Sequence, residues 1–231
     1  MTLRPAPRRL DLAELGAADA GRLEAAVHEA RLVCFPTDTV YGVGGALGPA
    51  VAGALVAAKG REPAKPLQVV FGSLAALEAA VPLSPALLRA CRRLLPGPVT
   101  LLLPYPAGWR FPPPGSVTGA AGPAVPTLGV RVPAWPAAAR VLASFALPLL
   151  ASSANPSGGA APASASAVDP GLLAHCDLLL DAGPVSGRAS TVVDLSSYDG
   201  AGVWRILRPG EWGRDDVVAL LAGDGEEAPT P

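Results

Sequence analysis

Residues 35–48 read FPTDTVYGVGGALG. The stretch follows a short apolar run, Leu32 to Phe35, and holds two threonines, an aspartate, a tyrosine and four glycines. Its G-x-G-x-x-x-G spacing invites a dinucleotide-binding fold, in which glycines at a strand-to-helix turn let the backbone approach a pyrophosphate. Three features oppose this. Six residues, PTDTVY, separate the strand from the first glycine, and the next helical pattern begins only after the last one. Glu62 stands at a suitable distance for a ribose-binding acid, but a helical pattern precedes it rather than a strand. No G-x-x-x-x-G-K-[ST] is present either. The stretch reads as a glycine-rich turn that lets the backbone pass close to a ligand, and alone it names none.

Outward from this stretch the chain alternates between two hydrophobic periods. Residues 20–31, AGRLEAAVHEAR, place Leu23, Ala26, Val27 and Ala30 on one helical face. Residues 49–59, PAVAGALVAAK, begin with proline at a first helical position and stop at Gly60. Helices are expected over 73–81 and 84–95, with Ser73 and Ser84 as N-caps, and over 135–146 and 214–223. Strands are expected at LVCF, PLQVVFG, PVTLLLP, TLGVRVP, PLLASSA, DLLLDAG, STVVDLS and GVWRILRPG. Residues 105–126 are Pro/Gly-rich loop, and NPSGGAAPASASA is a flexible small-residue segment. The first two thirds alternate β and α and the last third is mostly β, which predicts one α/β domain with a mixed sheet. The expected domain spans 12–222, with tails at 1–11 and 223–231, the second acidic and disordered.

At 231 residues, half of them hydrophobic, the chain is long enough for a full core. Its central apolar run, VLASFALPLLA, is too short and too broken by Pro148 to span a bilayer. MTLRPAPRRLDL lacks the apolar segment of a signal peptide. Cys34, Cys91 and Cys176 are dispersed and odd in number, which argues against a disulfide framework or a structural zinc and makes the cytoplasm the default. Net charge is −1, yet Val40 to Val168 carries nine basic residues and two acids, whereas the remainder carries nine basic residues and seventeen acids. A carboxylate-poor middle predicts an anionic ligand, unless folding simply scatters the charges. Both lysines, Lys59 and Lys65, fall in KGREPAK, although the other sixteen basic residues are arginine. A site that needs a compact point charge resists replacement by a planar fork.

Four further stretches carry chemistry, each with a plain structural alternative. Lys59, Arg61 and Lys65 suit a phosphate clamp, or merely complement a helix C-terminus. Ser153 and Asn155, at the end of a strand of small residues, offer a hydroxyl and an amide to phosphate oxygens, or form a turn before Pro156. Arg131, between Val130 and Val132, suits a carboxylate through its fork, or is an exposed face charge. Arg208 lies at a strand end before Pro209-Gly210, where ligands bind in open α/β sheets.

Together and in order, FPTDTVYGVGG, KGREPAKPL, PGPVTLLLP, GVRVPAWP, PLLASSANPSG, STVVD and LRPG resemble the YrdC-like family over roughly residues 20–210. The resemblance implies a twisted, open, mixed parallel/antiparallel sheet flanked by helices, with a deep, positively charged cavity. It implies a threonylcarbamoyl-adenylate synthase, a nucleotidyltransferase that condenses L-threonine, bicarbonate (or carbon dioxide) and ATP and releases pyrophosphate. A separate transferase would pass the product to the adenosine beside the anticodon in tRNAs reading ANN codons. By resemblance, Lys59, Arg61, Ser153 and Asn155 form the catalytic K-x-R and S-x-N tetrad, and with Arg208 and the backbone around Thr127 they hold the nucleotide. Thr37, Arg131 and the backbone near Ala151 hold threonine, with Arg131 on its carboxylate. Mg2+ enters with ATP, and no protein metal cage is expected. His28 and His175 fall in no matching motif, so no triad is assigned. The loop after Ser157-Gly158 departs from the family, with alanine at 161 and a serine at 164. The resemblance leaves two other functions open: direct binding of double-stranded RNA or tRNA, and a paralogue of different adenylate-forming activity. Against the first stand few aromatics, no basic tail and a net charge near zero.

Overall fold

The computed structural model describes residues 5–60, 67–109, 126–156, 159–222 and 226–227. Eleven strands form one mixed sheet: β1 Arg8–Asp11, β2 Val33–Phe35, β3 Gly42–Ala46, β4 Gln68–Val70, β5 Val99–Pro104, β6 Thr127–Arg131, β7 Leu149–Ser153, β8 Leu178–Asp181, β9 Thr191–Asp194, β10 Val203–Arg208 and β11 Glu226–Glu227. Their order is β1-β8-β2-β3-β7-β4-β6-β5-β9-β10-β11. Parallel and antiparallel pairings alternate through the middle: β3 and β4 both run antiparallel to β7, whereas β4 and β6 run parallel. The helices are α1 Ala20–Glu29, α2 Pro49–Lys59, α3 Leu74–Ala80, α4 Pro85–Leu94, α5 Pro170–Leu173, α6 Tyr198–Ala201 and α7 Arg214–Leu221. Ser73 and Ser84 cap α3 and α4 by accepting the N–H groups of Ala76 and Leu87, both at 3.2 Å. Gly60 ends α2 in the left-handed region, φ 54°.

Four expectations change. Residues 1–11 are not all tail: Arg8–Asp11 is an edge strand, parallel to β8, whose charged side chains hide it from a hydrophobic-period reading. In the acidic C-terminal segment, Glu226–Glu227 pairs with Val203 and Trp204, and the rest of 223–231 lies outside the described residues. Residues 137–144 form a 3-10 rather than an α-helix, with Ala139 N–H on Pro136 O at 2.8 Å and Phe145 N–H on Leu142 O at 3.2 Å. This turn presses on the sheet at Gly72, where a Cβ would stand 2.6 Å from Phe145 O and 2.7 Å from Leu142 O. Residues 155–167 are partly anchored. Pro162 O accepts Tyr41 N–H at 2.9 Å, Ala163 O accepts Val185 N–H at 2.8 Å, and Ala165–Ala167 makes a 3-10 turn on buried Ala165.

The largest correction concerns the opening stretch. Gly42, Gly44 and Gly45 are not a turn but the body of β3, hydrogen-bonded between β2 and β7. None has a positive φ. Gly44 is required by closeness, because a Cβ there would stand 2.0 Å from Leu150 O. Glycine spacing alone does not separate a turn from a strand approached by its neighbour's backbone.

The pleat then sorts the middle of the sheet into two faces. Val69, Val99, Leu101, Leu103, Leu128 and Val130 enter one core with α4 and α7. The alternate positions, Gln68, Thr100, Thr127, Gly129 and Arg131, project to the other face. Register continues that face onto Ala151 and Ser153 of β7 and onto Gly44 and Gly42 of β3.

Candidate active site

The six residues between β2 and β3 fold over this polar face as a tight turn. Thr37 closes it: its hydroxyl donates to Val40 O at 2.6 Å and accepts the N–H groups of Thr39 and Val40, both at 3.2 Å. Thr37 is buried, and in this structure its hydroxyl organises the turn rather than facing open solvent. Tyr41 anchors the turn's far end. Its hydroxyl reaches Asp181 Oδ1 at 3.0 Å and Gly183 O at 2.8 Å, and accepts Ala182 N–H at 3.1 Å. Burial pushes the Tyr41 phenol up, and Asp181 beside it adds to the shift. Burial pushes the Asp181 carboxyl up, but the Gly183 N–H, the Tyr41 hydroxyl and Arg9 together outweigh it and hold the group below its ordinary value.

Arg131 is not an exposed face charge. It is 2% exposed, and its Nη2 donates to Asp38 Oδ1 at 2.5 Å and to Thr39 Oγ1 at 2.6 Å. Asp38 Oδ2 accepts Ala134 N–H at 3.0 Å, so one carboxylate joins the turn to both the side chain and the exit of β6. Burial pushes the guanidinium below the usual arginine range, and Asp38 opposes the shift by charge and hydrogen bond. Arg131 Nε is buried without a hydrogen-bond partner among the described residues. Asp38 and Thr39 carry no separate signal in the sequence, because they sit inside a stretch dominated by its glycines. The available signal is a carboxylate just before the acid-poor segment, which holds an in-sheet arginine in need of a counter-charge.

Lys59, the last residue of α2, is buried, and its ammonium donates to Ser153 O at 2.6 Å and to Ser152 Oγ at 3.0 Å. The structure thus brings Lys59 to the Ser153 backbone and adds Ser152, which sequence reasoning missed. Adjacent residues of a strand project to opposite faces, so Ser152 supports the lysine while Ser153 belongs to the polar face. Asn155 donates through Nδ2 to Pro156 O at 3.0 Å and Gly159 O at 2.5 Å, and its Oδ1 is buried without a partner among the described residues. Thr127, at the start of β6, is also buried with a hydroxyl lacking a partner. Ala151 is buried on the same face. Arg61 and Lys65 lie outside the described residues, and with them part of the expected cavity.

Arg208 reaches back from the end of β10 to Ser190 O at 2.8 Å and Ser190 Oγ at 3.3 Å. Ser190 Oγ lies 2.9 Å from Thr100 Oγ1, which donates to Gln68 Oε1 at 3.0 Å. A row of polar side chains therefore crosses β4, β5 and the entry to β9 and ends on Arg208. Burial first, and then the like charge of Arg131, push the Arg208 guanidinium down. Two arginines that sense each other across one face form a field suited to an anion. Gly210 permits this closure, because a Cβ there would stand 2.4 Å from Ala189 O. The chemistry on offer among the described residues is electrostatic: fixed cations, neutral donors and unpartnered polar atoms, with no nucleophile paired to a base there.

Comparison with known proteins gives a consistent picture. The family model Sua5_yciO_yrdC, described as "Telomere recombination", matches residues 25–210. A threonylcarbamoyl-AMP synthase of Pyrococcus abyssi is 34% identical over 200 residues, 84% of this chain and 55% of that protein. A threonylcarbamoyl-AMP synthase of Rattus norvegicus is 32% identical over 216 residues, 87% of this chain and 71% of that protein. The crystal structure of P. abyssi Sua5 complexed with L-threonine superposes with a TM-score of 0.73 at 28% identity, over 97% of this chain and 62% of that one. The chain thus spans a little over half the length of the archaeal relative.

Proposed function

Because the chain belongs to the Sua5/YciO/YrdC family, we propose that it is an L-threonylcarbamoyladenylate synthase, condensing L-threonine, bicarbonate or carbon dioxide, and ATP into threonylcarbamoyl-AMP and pyrophosphate. The observation that carries this is buried Arg131, held on the polar face by Asp38 and Thr39, together with Lys59, which reaches the Ser153 backbone at the end of β7 from the other face. The name of the P. abyssi and rat relatives, and the threonine bound in the P. abyssi structure, support the same reading.

The residues suit the reaction. Bicarbonate carboxylates the threonine amine with loss of water. A carbamate oxygen then attacks the α-phosphorus of Mg2+·ATP, and the bond from that phosphorus to the pyrophosphate oxygen breaks. Two anions must approach, and negative charge grows on the leaving group. Preorganised cations and donors lower both barriers, and no side-chain nucleophile is needed. Lys59, Arg61, Ser153, Asn155 and Arg208 hold the phosphates, and the backbone at Thr127 receives the nucleoside. Arg131 takes the threonine carboxylate, the turn closed by Thr37 walls the amino-acid side, and the backbone at Ala151 completes it. The labile product passes to a separate transferase acting on tRNAs that read ANN codons. No helix among the described residues is long and apolar enough to cross a membrane, and we place the reaction in the cytoplasm.

The test is direct. Protein, Mg2+·ATP, bicarbonate and labelled L-threonine should yield pyrophosphate together with a labelled, short-lived adenylate. Pyrophosphate release that does not depend on threonine overturns the proposal.

A further inference from the structure

We infer that Asp38 is a positioning residue for the amino-acid site, aiming Arg131 at the substrate carboxylate; this rests on the function proposed above. A guanidinium is a planar fork whose direction is fixed only when its nitrogens are held. Arg131 stems from a central strand, and without a partner its head would be free to rotate over the polar face. Asp38 Oδ1 and Thr39 Oγ1 both take Nη2, at 2.5 and 2.6 Å. The holder is itself held. Asp38 Oδ2 takes the Ala134 N–H, and the turn carrying Asp38 and Thr39 is locked by Thr37 at one end and by Tyr41 on Asp181 at the other. Thr39 adds a backbone tie, its carbonyl accepting Gly187 N–H at 2.7 Å.

What this arrangement leaves over is informative. The hydrogens of Nη2 go to the turn, and the buried Nε keeps its hydrogen without a partner among the described residues. A buried N–H without an acceptor is unfavourable, and an incoming carboxylate oxygen relieves it. Asp38 also neutralises the arginine in the absence of ligand. The amino acid is then recognised by the direction of the fork rather than by loose attraction to a free positive charge. Loss of the Asp38 charge should therefore blunt discrimination for a carboxylate more than it weakens the nucleotide half of the site.

The experiment compares L-threonine with L-threoninamide, which lacks the carboxylate charge, by calorimetric titration in the presence of a non-hydrolysable ATP analogue. Wild-type protein should prefer threonine by at least ~10-fold, the worth of a charge-assisted hydrogen bond. In Asp38→Asn the preference should fall to within ~3-fold while affinity for the ATP analogue changes less than ~3-fold. A folded Asp38→Asn protein that keeps the full preference overturns the inference. So does one that loses threonine and nucleotide affinity in equal measure, since that marks a general defect. If Asp38→Asn does not fold, Thr39→Val removes the second acceptor on Nη2 with little change of shape. It should reduce the preference severalfold, and an unchanged preference overturns the inference as surely. Failure of the wild type to bind threonine at all would instead reject the function on which the inference rests.

Discussion

Substituting Gly44 by alanine separates the two readings of the glycine stretch. If the glycines serve a ligand-facing turn, an added methyl group weakens binding and leaves the fold intact. The structure argues the opposite. A Cβ on Gly44 would lie 2.0 Å from Leu150 O and 3.0 Å from Ala151 Cα, well over an ångström inside ordinary contact with the first. Both neighbours are backbone atoms of β7, which pairs with β3 at five registered positions, so neither yields without opening that ladder. Overpacking a rigid site by a methyl group costs about 1–3 kcal/mol, and an unyielding backbone puts Gly44 at the top of that range. The entropy gained by stiffening the unfolded chain offsets only about 0.4–1 kcal/mol. A net loss of roughly 2–2.6 kcal/mol lowers the melting temperature by about 4–10 °C for a chain of this size. Gly45 is the control. Its Cβ would meet Val51 Cγ2 at 3.2 Å, the end of a side chain that can shift, so Gly45→Ala should stay within about 1 kcal/mol of wild type. Thermal unfolding followed by circular dichroism reads both variants. A Gly44→Ala protein melting within about 2 °C of wild type, or a Gly45→Ala protein falling equally far, would refute the reasoning.

Further outcomes follow from the same geometry. Lys59→Ala should lower nucleotide affinity by about 30-fold or more, the worth of a charge-assisted contact, while the protein remains folded; unchanged ATP-analogue titration would remove Lys59 from the phosphate site. Ser152→Ala should reproduce part of that loss, because the Ser152 hydroxyl receives the ammonium, and full activity would leave Ser152 with no role beyond packing. Arg131→Lys keeps the charge but cannot supply both Nη2 and Nε, so the KM for threonine should rise while the KM for ATP holds; a selective rise for ATP would mean the two subsites are interchanged. Asp181 has its folded pKa depressed, so its contribution to stability is present above the ordinary carboxylate pKa and disappears as pH falls through the depressed value. The melting temperatures of wild type and Asp181→Asn should therefore differ at neutral pH and converge below about pH 4; a gap that persists in acid would show that the charge of Asp181 is not what stabilises the turn.

Much of the fold was legible because its elements follow simple periods. The span and stop of α2, the caps Ser73 and Ser84, and eight of the strands are written in local chemistry. What was not legible depended on partners distant in sequence. A glycine-rich strand carries no hydrophobic alternation, and only the neighbouring Leu150 backbone explains Gly44. An edge strand with two arginines does not look like one until Asp177 and Asp181 of the β8 segment are placed beside it. The site divides in the same way. Lys59, Ser153, Arg131 and Arg208 were found from residue type and order. Asp38, Thr39, Ser152, Ser190, Thr100 and Gln68 were not, because each acts by holding one of those residues, and a support has no signature apart from what it supports.

The polar face also explains where this fold departs from ordinary economy of packing. On β6, Leu128 and Val130 fill a core, whereas Thr127, Gly129 and Arg131 occupy alternate positions that aliphatic residues could have filled. Each forgone aliphatic side chain gives up about 1.5–3 kcal/mol of burial. The polar residues there do not recover that through complete internal hydrogen bonding. Among the described residues Thr127 Oγ1, Arg131 Nε and Asn155 Oδ1 are buried without partners, and an atom so left costs about 1–3 kcal/mol. Trp204 Nε1 is also buried without a partner among the described residues, but it sits in the core with α4 and α7. Of the other three, Thr127 and Asn155 lie toward the Ser153 end of β7, where Lys59 is held, and Arg131 lies toward the other end of β6, as does Arg208. A sheet whose β6 leaves polar atoms unsatisfied on one face, beside the apolar Val70 and Leu149 of β4 and β7, while packing its reverse face with leucine and valine, is suited to a polar occupant at β6. The stability withheld on that face becomes available when the occupant arrives, and for a site made of fixed cations the best-matched occupant is an anion with hydrogen-bonding groups of its own.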